Sequence, residues 1–507
     1  MQKSISSMFI IYIISFIFID SISAAGDQDI SAQNKEYAIS ESEVYVDSIK
    51  VSYPVKPIIK DGTTLVPIRE TFEAIGATVS WNQEEESVIA TKGNTKLYLK
   101  IGSHTAFINE QPLEIKAAPV IYNSKTMIPL RLIGESFGGT VDYNTETKVI
   151  SITMPKLLAD FLSKEHGVIS NIQDIADVKM SGDRRLMLSD NPENINANTI
   201  KENNSTLWND VVKENSTSED HRVVGWHVNE FNKEVTVGIT LENLSETNTI
   251  EVRNLEGIHK TSLINWDYDI GLPVSEAVLN NRLHNIELNN NQANHGETIQ
   301  IGSYNLNPGE LIGFLNDFTV MKTSGTGDLN YIIRTVVSTE NTDLTKIDSV
   351  PVPIDQNNLH PRGVWRSSEL SAELPSYDVL QDGEQSYNIS NGKTDNMLNA
   401  ENSLVENAVS VSNMGHYGVV YKVKIPFVNE SGEEKTIRVR LASRGGLYSG
   451  TVKTGEDVFN IHQLEPNNEV INVIDYKTVK NNGHIELDIM HSGGSYLPIS
   501  ININTVN

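Results

Sequence analysis

The chain has 507 residues, with 40 Lys+Arg against 66 Asp+Glu and a formal net charge of −26. That length exceeds what one hydrophobic core organises and calls for several domains. The acidity leaves no positive footprint for phosphates, which excludes nucleic acid as a partner. The absence of cysteine removes disulfides, thiolate metal sites, a Cys nucleophile and a lipid-bearing Cys.

Residues 1–25 read as a signal peptide. Lys3 precedes an apolar run at 8–19, and small residues follow at Ser21, Ser23, Ala24 and Ala25. The run is shorter than the ~20 apolar residues of a spanning helix, and no second long apolar stretch follows. The expectation is a secreted, extracellular product with no transmembrane segment after signal removal. A large cysteine-free secreted chain points to a Gram-positive envelope, with cell-wall association as an option. Residues 26–43 are polar and aperiodic, and read as a disordered leader.

Residues 44–154 contain an internal repeat. LVPIRETFEAIGATVSWN at 65–82 returns as MIPLRLIGESFGGTVDYN at 127–144. Pro67 recurs as Pro129, Arg69 as Arg131, Gly76 as Gly138, and the aromatic slot Trp81 as Tyr143. The prolines suit a first helical turn, where a missing N–H is tolerated. The glycines suit the left-handed position that ends a helix. Ile68, Phe72 and Ile75 fall on one helical face, as do Leu130, Ile133 and Phe137. Two strands follow each helix, and residues 95–112 read as a hairpin between the copies. These repeat positions, the aromatic slot included, are read as structural.

The stretches Gly62–Glu70, 76–81 and Met127–Arg131 carry a resemblance to the copper amine oxidase N-terminal-like domain, or stalk domain, of secreted Gram-positive proteins. The resemblance implies a small α+β module, a curved antiparallel sheet around short helices, remote from the chemistry of the enzymes that gave the name. The catalytic domain of those enzymes carries an Asn-Tyr-Asp/Glu motif and a His-x-His pair. Here Asn330-Tyr331 is followed by Ile332, and none of the 12 His residues forms His-x-His. No amine oxidase activity, cofactor or metal ligand is therefore expected.

Residues 155–352 read as a connecting segment, with one candidate helix within 154–180, followed by a first β-sandwich. Residues 353–507 read as a second, opened by His360 in HPRGVW. VTVGITLENLSETNTIEVRNLEG at 235–257 lines up with 421–446, and the first copy carries an extra INWDYDIGLPVSEAVLNNRLHNI. The fold class is thus an internally duplicated α+β stalk module followed by an all-β part with two tandem antiparallel β-sandwich modules. LMLSDNPENI, RVVGWHVNEF, HPRGVW and GHYGVVYKVKIPF resemble the bodies of other secreted stalk-domain proteins, which implies no catalytic residues.

Hydrolase and phosphate-loop signatures are absent, as are HExxH and EF-hand loops. Asp267-Tyr-Asp269 reads as a surface turn. His416, His484 and His491 read as structural or rim residues. The candidate ligand-binding residues are aromatics able to stack on sugar rings: Trp226, Trp266, Trp365, Tyr417 and Tyr448. The sequence reading is a non-enzymatic protein with a spacer or wall-associated module, whose sandwiches present a surface to a cell-wall glycan or an extracellular protein. The alternative is a hydrolase of extracellular polysaccharide, which needs two carboxylates about 5–9.5 Å apart.

Overall fold

The computed structural model describes residues 37–506 except 47–48, 76, 93–94, 110, 138, 145–146, 154–158, 264–265, 341, 406–410 and 479–481. The signal peptide and the helix-stop glycines Gly76 and Gly138 lie outside the described residues. The chain is strongly β-rich, and its strands form seven sheets among the described residues.

In the N-terminal region, strand Thr63–Pro67 runs into helix Ile68–Ala74, and Lys125–Pro129 runs into Leu130–Ser136. Pro67 stands just before the helix as its cap, with φ −58, so the fixed ring torsion sets the strand-to-helix corner. The two strands pair antiparallel as Met127↔Pro67, Ile128↔Val66 and Pro129↔Leu65. The register is symmetric about Val66 and Ile128, which are equivalent positions in the two segments. Phe72 of the first helix and Phe137, just past the second, meet edge to face with ring centroids 5.6 Å apart, the arrangement favoured by aromatic quadrupoles.

One expectation changes here. The leader is ordered from residue 37, because Ala38–Ile39 pairs with Ile58–Lys60 and Tyr37 packs edge-on against Tyr122 at 5.7 Å. The aromatic slot lies near the surface: Trp81 and Tyr143 are 38% and 46% exposed, each on the same strand face as the partly buried Val79 or Val141 two residues earlier. Arg69 and Arg131 are also on the surface.

The remaining sheets form two sandwiches. One pairs the sheet of Arg362–Trp365, Arg185–Ser189, Ser218–Asn229, Leu311–Ser324 and Thr249–Ser262 with that of Asn204–Glu214, Leu329–Ser338, Val235–Asn243 and Thr298–Leu306. The other pairs a sheet centred on Tyr448–Thr454, Asn482–His491 and Val420–Val428 with one centred on Glu469–Thr478, Lys435–Ser443 and Ile499–Val506. Each encloses its own aliphatic cluster.

The sandwiches are nested rather than tandem. No helix occurs among the described residues 159–181. Instead Phe161–Leu162, Lys164–His166, Ile172–Asp174 and Lys179–Ser181 pair with Asp457–Leu464, Glu469–Thr478, Gln385–Ile389 and Glu369–Glu373 of the C-terminal sandwich. His360 does not open the second module, since Arg362–Trp365 closes an edge of the first by pairing with Arg185–Ser189. Nor are the sheets purely antiparallel: Arg185–Ser189 runs parallel to Ser218–Asn229, and Glu369–Glu373 to Val420–Val428. Each parallel pair is joined by a long excursion, as parallel pairing requires.

The segments 235–257 and 421–446 have corresponding strand partners in their central pairs. Val235–Asn243 pairs with Leu329–Ser338 as Val420–Val428 pairs with Asn482–His491, while Thr249–Ser262 pairs with Leu311–Ser324 as Lys435–Ser443 pairs with Glu469–Thr478. The flanking strands differ between the two.

Candidate functional site

The extra segment of the first sandwich folds as a π-helical turn, Trp266–Gly271, continuing into helix Leu272–Leu279. Pro273 sits in the first turn, where it fits, and every residue of the helix is buried. The helix packs against the strands Tyr448–Thr454, Asp457–Leu464 and Asn482–His491. Val274, Val278 and Leu279 join the C-terminal core, as do Leu186, Leu188, Val224 and Leu315 from the first sandwich.

Polar contacts close this seam. Asn460 Nδ2 donates to Glu276 Oε2 (2.9 Å), and Ser275 Oγ and Thr451 Oγ1 lie 2.8 Å apart. Gln463 Nε2 donates to Asp267 Oδ2 (2.9 Å), Ser492 Oγ to the Asp267 carbonyl (2.9 Å), and Arg222 Nη1 to the Gly418 carbonyl (3.3 Å). The Asp267–Asp269 pair is therefore a seam element and not a free surface turn. Asp269 accepts from Ser262 Oγ at 2.9 Å, and burial pushes its carboxyl up to about 7.

The predicted aromatics do not share a face. Trp365 and Tyr448 are fully buried and offer no ring to a ligand, which corrects their assignment. Trp365 Nε1 donates to the Asn399 carbonyl (2.9 Å), and the Tyr448 hydroxyl lies 3.1 Å from His491 Nδ1. Trp226 is half-buried in the seam beside Ile270 and Leu311. Its ring lies where a Cβ on Gly313 or Gly493 would come within 2.5 or 2.4 Å, so both glycines are dictated by the indole. Tyr417 is half-buried and its hydroxyl donates to the Ser495 carbonyl. Trp266 alone of the five is exposed, at 38%.

Serine and histidine do meet, but inside the core. Ser390 Oγ lies 2.9 Å from His416 Nδ1 and 2.7 Å from His491 Nε2. All three residues are buried, and burial pushes the imidazoles down to about 4 and about 3. A nucleophile needs substrate access, so this is a structural network. His484, beside Glu486 at 3.2 Å, is exposed.

The open concavity is elsewhere. A groove of about 910 Å³ runs along the edge of the first sandwich, between edge strands Thr249–Ser262 and Thr298–Leu306 and under the segment 284–290. Thr140 and Asp142 of the N-terminal region reach its rim. Its polar lining includes His259, Lys260, His284, Glu287, Asn289 and Gln300. The His259 ring packs 4.8 Å from that of Tyr304, whose hydroxyl donates to Asn316 Oδ1 at 2.9 Å. Burial holds both His259 and Lys260 below their usual ranges. Sequence reading missed this groove because its walls come from three separated segments. One further group, Asp190, Glu193 and His360, brings potential ligand atoms within 4.8 Å of one another.

Comparison with known proteins fits the N-terminal topology. Residues 45–152 match the family described as the copper amine oxidase N-terminal domain. A protein described as a protease inhibitor from Brevibacillus choshinensis is 26% identical over 88 residues, 17% of this chain and 27% of its own length. The chain thus spans about a quarter of that curated relative. Among solved structures, a multicopper oxidase from Campylobacter jejuni, described as a metallo-oxidase, aligns at 12% identity and TM-score 0.09, covering 54% of this chain and 48% of its own. A Paenibacillus xanthan lyase aligns at 8% identity and TM-score 0.12, covering 94% and 39%. Neither structural likeness carries an argument at those scores. The matched domain is the amino-terminal one of the amine oxidases and not their catalytic domain, so an amine oxidase is not indicated.

Proposed function

We propose that this is a non-enzymatic extracellular binding protein, in which an internally duplicated α+β stalk module serves as a spacer or wall-associated domain and the fused sandwiches present the ligand surface. The groove at the edge of the first sandwich carries this reading. It is lined by imidazole, amine, carboxamide and carboxylate groups suited to the hydroxyls of a cell-wall glycan. Trp266, on the adjoining seam, is the exposed aromatic of the predicted set.

The test is retention of the purified protein on insoluble peptidoglycan and wall polysaccharide. Wild-type protein is expected to be retained by one of them, and His259→Ala with Gln300→Ala to lower retention at least fivefold with an unchanged circular dichroism spectrum. Retention by neither material overturns the glycan reading. Release of reducing ends from either polysaccharide would favour the hydrolase alternative.

A further inference from the structure

Strand Arg185–Ser189 pairs with Arg362–Trp365 through Ser189↔Arg362. The residues just beyond that rung are therefore held together: Asp190 N donates to the Pro361 carbonyl at 3.2 Å. The loop from Asp190 to Glu193 is fixed on all sides. Asn191 Oδ1 accepts from Asp355 N (2.8 Å), and its amide donates to the carbonyls of Asp355 and Asn358, both at 3.3 Å. The Pro192 carbonyl faces His227 Nδ1 at 2.9 Å, and the Glu193 carbonyl accepts from Val228 N at 2.9 Å.

Three side chains converge on one point above this loop. His360 Nδ1 lies 3.1 Å from Glu193 Oε2 and 3.7 Å from Asp190 Oδ2. The other imidazole nitrogen, Nε2, is 3.1 Å from Asn358 Oδ1, and that amide is oriented by its own donation to Asn194 Oδ1 at 3.5 Å. In the tautomer whose Nε2–H donates to Asn358, the Nδ1 lone pair faces the carboxylates, which is how an outer hydrogen bond readies a histidine ligand. Asp190 is 9% exposed, and its Oδ1 is buried without any hydrogen-bond partner.

Two carboxylates gathered this closely repel one another unless a cation sits between them, either the imidazolium of His360 itself or a bound metal ion. Arg362, the nearest arginine in sequence, is committed elsewhere. Its Nη1 donates to the carbonyls of Asn191 and Val352, and its guanidinium stacks 4.2 Å from the Trp208 ring. Burial raises both carboxyls; burial lowers His360, but its hydrogen bond and charge contact with Asp190, together with Glu193, raise it overall.

We propose that Asp190, Glu193 and His360 form a divalent metal site with one nitrogen and two carboxylate donors, selective for Zn²⁺ over Ca²⁺ and Mg²⁺. The imidazole disfavours the hard oxygen-seeking cations, and three protein ligands leave a fourth tetrahedral position open. His360 is partly exposed, so that position faces an approach route. In a chain without cysteine, such an ion would staple the last strand of the first sandwich to the loop that follows its Arg185–Ser189 strand. The site is separate from the groove and stands whether or not the groove binds glycan.

The experiment uses untagged full-length protein, stripped with chelator and titrated calorimetrically with Zn²⁺, Mn²⁺ or Ca²⁺ in excess Mg²⁺. One Zn²⁺ per chain is expected, with a rise in Tm of about 5 °C at a hundredfold excess over Kd. Asp190→Asn and His360→Ala should each weaken binding by at least tenfold, while Glu373→Gln on the exposed edge should not change it. X-ray absorption of the Zn²⁺-loaded wild type should show imidazole scattering, which keeps the assignment testable if a variant misfolds. No stoichiometric Zn²⁺ uptake, equal uptake of Ca²⁺, undiminished binding by His360→Ala, or absence of imidazole scattering would each overturn the assignment.

Discussion

The two boundaries in this chain are built differently. Between the sandwiches, one hydrophobic cluster takes side chains from both, and Trp226, Ile270 and helix Leu272–Leu279 fill the seam. At the other boundary the N-terminal module keeps its own core, to which the body contributes Leu263 at the margin. A boundary made of shared core gives one cooperative unit, whereas a marginal contact leaves two. A chain that combines both has a hinge-like joint on one side and a fused block on the other.

The largest expected effect comes from truncation. Removing residues 37–153 should leave a body that still melts cooperatively, whereas starting at residue 183 should abolish that transition by stripping edge strands from the C-terminal sandwich. Thermal melts followed by circular dichroism distinguish the two, and equal tolerance of both cuts would break the comparison.

Within the fused block, Arg185 binds Asp210 through two hydrogen bonds of 2.7 Å, both residues being buried. Asp210→Ala should cost about 3 kcal/mol, because it removes the bidentate partner of a buried guanidinium and leaves it only the longer contact to Glu214 at 3.3 Å; urea unfolding measures it. Ile270→Ala at the seam should cost about 2–5 kcal/mol and, if the seam is shared, should lower the stability of the block as a whole instead of splitting its transition in two.

Acid should weaken the block more than the N-terminal module. Burial depresses His227 and His416 to about 4 and His491 to about 3. Their folded values lie below the unfolded 6.5, so the stability they give is fully present above pH 6.5 and falls away as pH drops toward 4. Between pH 7 and 5 the loss should be about 2 kcal/mol per histidine, seen by urea unfolding at each pH, and His491→Gln should flatten its share of the slope. Asp269 works in the opposite sense. Its folded value of about 7 stands above the unfolded one, so it favours folding at low pH and opposes it as pH rises from about 4 through 7. Asp269→Asn should therefore stabilise the block by about 2 kcal/mol at pH 8 and by little at pH 4.

The N-terminal elements were legible because their information is local: a proline corner, an apolar face at helical spacing, then alternating strands. Their register was not, since the meeting of Leu65–Pro67 with Met127–Pro129 depends on a symmetry that only the folded module displays. The nesting was illegible for a stronger reason. Short strands such as Lys164–His166 carry little pattern of their own and take their identity from partners far along the chain. The extra INWDYDIG segment was visible as an insertion, but its role depends on the strands it meets, which are common β sequence. Trp365 and Tyr448 were candidates because aromatic residues look alike in sequence whether they are core or rim. Asp190, Glu193 and His360 lacked a spacing signal, being joined across a strand pair and not along a helix.

Nesting also sets a clock. Lys164 reaches its partner Glu469 across 305 residues. At ribosomal rates of about 5–20 residues per second, the early strands wait roughly 15–60 s with their edges unpaired. Ile499–Val506 lies between Lys435–Ser443 and Gln385–Ile389 in its sheet, so that sheet closes only when the final strand arrives. The strands of the first sandwich have all been made once Arg362–Trp365 emerges, but its core still waits for Val411 and its seam for the C-terminal sheets. A nascent chain stalled after that strand should expose the unfinished seam, a surface that a holding chaperone would recognise and that a released chain would have buried.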